Sequence, residues 1–388
     1  MRRRLDSFAA AIAEQGMAAA LVMHPVSVYY LAGTGQPANL LLQPGREPVL
    51  YARRYVELAR RSSCVTDVRE GAGFSAIEVE LDGPLGMELD VLPAALVARA
   101  QRRFGEVADC SEALWSLREV KDSGEVEAMR SSVALFDALH AAMCEHLRPG
   151  ITELELSAEL GRALRRAGHD GVIFQHRWDA KLQMEGALAS GENLTTISRG
   201  PVTITGVGLG EAFPMGASRR RIAHGDLVNV DLGLNRAGYH GDMARTYAVG
   251  ELGAGVERLA RACRELQDVA LGAIRPGVTA SSVYEATHEA AAALGVAGVF
   301  QGGGPYIGHG IGLELDEPPV LGPGDETALR EGMVLAVEPK LMSPEVGAVN
   351  IEDDVVVTAD GCELLGSLPR AVFVVGDDGA ATPVDQRG

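Results

Sequence analysis

Four acidic residues lie in stretches of chain too apolar to face water, and they restrict the fold more than any other feature. Glu338 closes the run Val334-Leu-Ala-Val-Glu338, and Glu352 leads within three residues into Val355-Val-Val. Asp231 ends the run from Gly225 through Leu227-Val-Asn-Val, and Asp242 follows it after a turn. An unpaired charge buried in such strands is very costly, so the fold must bring these acids to something positive.

The spacing predicts how they meet. Asn235 to Gly238 offers residues that tolerate hairpin-turn backbone angles. If Asn235 faces Gly238, Asp231 faces Asp242 across the ladder, with Cβ atoms about 5 Å apart on one side of the sheet. For this hairpin alone, one acid could instead face solvent or pair with Arg245. A second hairpin, folded about Glu345, sets Glu338 opposite Glu352. The two units resemble each other: Gly225 to Asp231 and Gly332 to Glu338 both run from a glycine through an apolar strand to an acid six residues later.

A fifth element is Gly302-Gly-Gly-Pro-Tyr-Ile-Gly-His-Gly, which places His309 between Gly308 and Gly310. Flanking glycines allow close backbone approach and leave the imidazole open to what it binds. Four carboxylates and a neutral histidine suit two divalent ions by charge counting, with Mn, Co, Zn and Fe all compatible with oxygen-rich ligation and one imidazole. A water or hydroxide bridging the ions would then be the nucleophile. His240 lies two residues before Asp242, hence on the same strand face, and is a candidate to shuttle a proton or orient Asp242. His176 has no geometric argument behind it.

At 388 residues two domains are expected, and 47% hydrophobic with 23% charged residues indicates a folded chain. Short strands at Ala18 to Met23, Asn39 to Leu42 and Pro48 to Tyr51, with helices at residues 5 to 17 and 94 to 104, make residues 1–121 a small α/β domain. Residues 122–388 contain helices at 124 to 147, 152 to 167, 254 to 274 and 280 to 294. Strands fill the gaps between them, which indicates an α+β fold with an antiparallel sheet.

The net charge of −18 argues against a nucleic-acid partner. No apolar run reaches the roughly 18 residues of a membrane span, and the start does not resemble a signal peptide, so a cytoplasmic protein is expected. Five scattered cysteines without a Cys-x-x-Cys pair read as reduced, mostly buried thiols.

Taken together, the ordered set Asp231, Asp242, His309, Glu338 and Glu352 resembles the prolidase, aminopeptidase P and creatinase superfamily. Tyr29-Tyr-Leu-Ala-Gly-Thr-Gly and the linker Leu117-Arg-Glu-Val-Lys-Asp-Ser-Gly-Glu extend the likeness over nearly the whole length. The resemblance implies a pita-bread catalytic domain with a curved antiparallel sheet behind a creatinase-type N-terminal domain. It also implies a homodimer, in which the N-terminal domain of one subunit helps shape its partner's active site. Asp231 would bind one metal and His309 with Glu338 the other, Asp242 and Glu352 bridging.

The departures concern substrate. The segment Gly206 to Gly216 lacks the family's usual histidine, Asp316 stands where another is usual, and Asn350 stands where an arginine is common. Those histidines are associated with substrate binding and proton transfer, which makes Asp316, with His240, a catalytic candidate. The implied activity is hydrolysis of a short peptide at an Xaa-Pro or similar bond. The alternatives are a non-peptide hydrolase or lyase on the same metals, and a catalytically dead binding module, which would be expected to lose ligands.

Overall fold

The computed structural model describes all residues except 1, 72, 178–183, 185, 198–203, 377–378 and 385–388. Two compact units result: Met1–Arg118 with a short stretch beginning at His176, and the rest of the chain from Glu119.

The first unit runs α1 (Arg2–Glu14), β1 (Ala19–Val22), α2 (Pro25–Ala32), β2 (Ala38–Leu42), β3 (Val49–Ala52), α3 (Val56–Ser62), β4 (Asp67–Glu70), β5 (Leu85–Met87), α4 (Ala94–Phe104), β6 (Val107–Asp109) and α5 (Ser111–Arg118). Its strands form one mixed sheet in the order β4-β3-β2-β1-β5-β6. The core beneath it gathers Leu21, Leu41, Tyr51, Ile77, Leu85 and Met87, all buried.

The second unit opens with α6 (Ser123–Val133), α7 (Leu135–His146) and α8 (Glu153–Ala167). Asp122 and Glu125 form a reciprocal capping box at the start of α6, as Thr152 and Glu155 do at α8. The single helix expected over 124 to 147 is in fact two, parting at Ala134. The physical reason is what each half packs on: α6 lies along β8 and β9, while α7 lies along α8 and meets the sheet through His140 at Tyr247.

The strands that follow are β7 (Ala187–Ser190), β8 (Leu227–Arg236) and β9 (Tyr239–Val249); after α9 (Ala254–Ala273) and α10 (Ala280–Ala293) come β10 (Gly308–Gly310), β11 (Glu317–Val320), β12 (Val334–Val337), β13 (Lys340–Ser343), β14 (Gly347–Val357), β15 (Cys362–Leu364), β16 (Phe373–Val375) and β17 (Ala381–Pro383). Among the described residues they make one curled sheet, antiparallel except where β16 runs parallel to β9. The two hairpins anticipated from sequence are β8–β9 and β12/β13–β14. They meet through their second strands, with Glu352 opposite Ala244 where β14 joins β9. Helices α9 and α10 cover one face, burying Cys263, Leu266, Ala270 and Val283 against Val337, Val349, Ile351 and Val355. Burial on that face drives the sheet to curl over the helices and leaves the other for chemistry.

Candidate metal centre

Strand register alone sets the five expected ligands on one face. In an antiparallel pair, opposed residues share a face and alternate residues return to it. Asp231 pairs with Ala244, two residues from Asp242; Ala244 pairs with Glu352; and Asp354, two further on, pairs with Ala336, which pairs with His309. Val337 pairs with Asp353 and Lys340 with Asn350, so the register continued through Glu338 puts it level with Glu352.

The first hairpin is corrected by two residues. Asp242 faces Gly233, not Asp231, because the two-residue turn sits one residue further along than expected: Ala237 and Gly238, rather than Arg236 and Ala237, occupy its centre, with φ of 55° and 83°. Positive φ at both central positions is the hairpin turn that matches strand twist. A two-residue shift preserves the facing, so Asp231 and Asp242 become diagonal neighbours on the same side. Arg245 does not neutralise either acid. It lies on the opposite face, 2.6 Å from Asp353, with Gln267 of α9 donating to the same carboxylate at 2.8 Å.

His309 is threaded between two strands at close quarters. A Cβ on Gly308 would lie 2.2 Å from the Ala336 carbonyl oxygen, and one on Gly310 would lie 2.2 Å from that of Pro318, so only glycine fits either side. The imidazole Nδ1 donates to the Gly310 carbonyl at 2.9 Å, which directs the Nε2 lone pair at the acids. Asp316 lies 3.4 Å from Nε2, and Asp242 and Glu338 each 3.8 Å.

One buried carboxylate elsewhere shows what an acid with a full set of donors looks like in this protein. Glu153, fully buried, accepts from the Ser190 and Ser218 amides, both their hydroxyls and the Asn193 side chain. By contrast, Asp242 Oδ1 and Glu352 Oε2 are buried and have no hydrogen-bond partner among the described residues. Burial pushes the carboxyls of Asp242 and Glu352 well above the usual range, and their acidic neighbours push them further. Two groupings of ligand atoms close enough for an ion result, Asp242–His309–Glu352 and Asp231–Glu338–Glu352. A divalent cation fits this donor set: hard oxygen ligands left without donors, beside an imidazole already fixed in the metal-binding tautomer.

Residues 127–359 match the model of metallopeptidase family M24, and residues 4–120 match the creatinase/prolidase N-terminal domain. The chain belongs to metallopeptidase family M24. It is 31% identical over 395 residues to the probable dipeptidase PepE of Mycobacterium tuberculosis, spanning 96% of each chain. It is 27% identical to the Xaa-Pro dipeptidase of Pyrococcus furiosus, over 96% of this chain and 100% of that one. Among solved structures, the Xaa-Pro dipeptidase from Bacillus anthracis superposes with a TM-score of 0.82 at 27% identity, covering 96% of this chain and 99% of the other. Dipeptidase PepE from Mycobacterium ulcerans gives 0.79 at 28%, covering 97% and 98%. This M24 protein is therefore a metallohydrolase with the pita-bread fold.

Around the centre, the M24 chain adds residues that sequence reasoning passed over. Lys340 extends its ammonium against Glu338 Oε2 and to 3.3 Å from Asp231 Oδ2, with its side chain only 4% exposed. Burial disfavours that charge, yet Glu338, Asp231 and Glu352 outweigh it and hold the ammonium protonated well above the ordinary lysine range. Asp354 accepts the Asp242 amide at 2.9 Å and so fixes that strand. Alternation could have found both, since Lys340 stands two residues after Glu338, and Asp354 two after Glu352.

The two catalytic candidates are placed differently. Asp316 reaches the recess, its side chain 42% exposed. His240 is fully buried, its ring taken at both nitrogens by backbone: Nε2 accepts from the Phe174 amide at 3.1 Å and Nδ1 lies 3.2 Å from the Gly312 carbonyl. Burial drives its pKa down to about 4, so it is neutral. His176 lies instead in the first unit, 2.9 Å from Asp90 and edge-on to Trp115. Nearer the site, a buried ion pair between Lys121 and Glu317 at 3.2 Å, with Glu317 also accepting the Glu314 amide, holds the segment that carries Asp316. Among the described residues, no helix is long and apolar enough to cross a membrane.

Proposed function

We propose that the protein is a divalent-metal-dependent dipeptidase, acting on short peptides with preference for an Xaa-Pro bond, at the centre formed by Asp231, Asp242, His309, Glu338 and Glu352. The observation that carries this reading is the pair of buried, donorless carboxylate oxygens on Asp242 and Glu352 beside the directed lone pair of His309. The names of the relatives support the substrate class. Mn, Co, Zn or Fe would satisfy such ligands. Bound there, a divalent ion lowers the pKa of water and polarises a substrate carbonyl.

The chain's own residues do the rest. The centre opens on a recess lined by Asp231, Asp242, Tyr306, His309, Asp316 and Glu338. Tyr306 lines it, and burial, aided by Glu338, raises its phenol so that it stays a hydrogen-bond donor, suited to a substrate carboxylate. Asp316, beside His309 and partly exposed, is placed to bind a substrate ammonium or to carry a proton. His240 acts at one remove: by holding the Phe174 and Gly312 backbones it positions the segment leading to Asp316. We also infer a cytoplasmic homodimer, checked by light scattering on the purified chain.

A second reading, a non-peptide hydrolase or lyase, is favoured by one feature: an aspartate rather than a histidine meets His309 at the recess. One experiment separates the two. Manganese- and cobalt-loaded protein is incubated with an Xaa-Pro dipeptide panel and, in parallel, with a metabolite extract. Cleavage of the dipeptides is expected; consumption of a metabolite with every peptide left intact would select the second reading.

A further inference from the structure

The acid cluster divides into two unequal halves. On the Asp231 side, the protein provides its own positive charge. Asp231 Oδ2 lies 3.3 Å from the Lys340 ammonium and accepts from the Asn350 side-chain amide at 3.1 Å, while Glu338 Oε2 is in direct contact with the same ammonium. On the Asp242 side, no lysine or arginine forms an ion pair with Asp242 or Glu352 among the described residues, and Asp242 Oδ1 and Glu352 Oε2 remain without a donor there. Lys340 reaches this position by construction: β13 sets it on the site face opposite Asn350, and its backbone amide is tied to the Gln301 side chain.

We propose that Lys340 is a resident cation that takes the place of a second metal, so that the centre holds one divalent ion, at Asp242, His309 and Glu352, with an ammonium standing at Asp231 and Glu338. This rests on the functional reading that the cluster binds metal. It revises the charge count that pointed to two ions, which left Lys340 out. Two positive centres a few ångströms apart in a poorly solvated site repel strongly, and a buried ammonium cannot withdraw to solvent without dismantling its contacts. A lysine that the chain holds against Asp231 therefore competes with any ion for that carboxylate. Asn350 completes the arrangement, since a neutral amide serves Asp231 without adding a third positive charge to the cluster.

Metal stoichiometry tests this without reference to turnover. Full-length protein is stripped with chelator, titrated with Mn²⁺ in a calorimeter, and its metal content measured after desalting. The wild type is expected to take one Mn²⁺ per chain and to give the electron paramagnetic resonance spectrum of an isolated ion. Lys340→Met, which keeps the stem and removes the charge, is expected to take two and to show a coupled pair, whereas Lys340→Arg is expected to stay at one. If Lys340→Met fails to fold, Lys340→Gln serves in its place. Two ions in the wild type, or one in both charge-removing variants, would overturn the role of Lys340 while leaving a metalloenzyme. No bound metal in the wild type would instead bring down the functional reading itself.

Discussion

Replacing Asp242 by asparagine should make the metal-free protein more stable, not less. The carboxylate is buried among Asp231, Asp354 and Glu338, with Oδ1 unpartnered, so in the absence of a cation it contributes repulsion and desolvation that only the long contact to His309 at 3.8 Å offsets. Asp242→Asn is expected to raise the melting temperature of chelator-treated protein by about 2 °C or more, and to abolish the further rise that Mn²⁺ gives the wild type. Thermal melts with and without the ion decide it; a variant that melts lower than wild type in chelator would show that Asp242 has a structural partner. At this scale most of the centre was legible, because strand alternation needs only counting. Glu338 and Glu352 fall level as expected. Lys340 is the exception, because a lysine in sequence reads first as a solvated charge, although alternation sets it beside Glu338.

Whole elements were harder to read than single residues. The β8–β9 turn lies one residue from its expected centre, which shifts the pairing by two, because Asn235 is committed elsewhere: its side chain donates to the Val172 carbonyl at 2.9 Å and its own carbonyl accepts the Asp170 amide. A turn-forming residue used to anchor a neighbouring loop carries the same sequence signal as one in a turn. The break at Ala134 was likewise invisible, since it answers to the different surfaces beneath α6 and α7. In the first unit, helix α5 is fastened through Asp90, which accepts from Ser111 at 2.7 Å and Trp115 at 3.0 Å and meets His176 at 2.9 Å. Burial works to raise this carboxyl, but those partners outweigh it and hold it down to about 2. A folded pKa below the unfolded value of about 3.9 means stability that is present above pH 4 or so and is lost as pH falls toward 2. Asp90→Asn should therefore cost about 1 kcal/mol at pH 6, a figure reduced for the group's partial exposure, and distinctly less at pH 3. Urea titrations at the two pH values would expose a cost that did not shrink.

For the molecule as a whole, length and apolar patterning anticipated two units and an antiparallel sheet in the second. Of the five thiols expected to be mostly buried only two are, with Cys144 and Cys362 half-buried. Cys110 and Cys263 are buried and Cys64 is exposed; burial pushes the Cys263 thiol up to about 12 and that of Cys110 up as well. Alkylation of native protein at pH 8 should label Cys64 first and leave Cys110 and Cys263 untouched until the chain is unfolded, as peptide mass mapping would show. Early labelling of Cys263 would mean that α9 lifts from the sheet.

Three consecutive acids on β14 serve opposite sides of one sheet: Glu352 and Asp354 toward the candidate metal centre, Asp353 toward Arg245 and α9. Evolution can therefore trim or extend this strand only in steps of two between Gly347 and Ile351. A single-residue deletion there would rotate Asp353 inward, strand Arg245 in a greasy interior, and disable stability and chemistry in the same stroke.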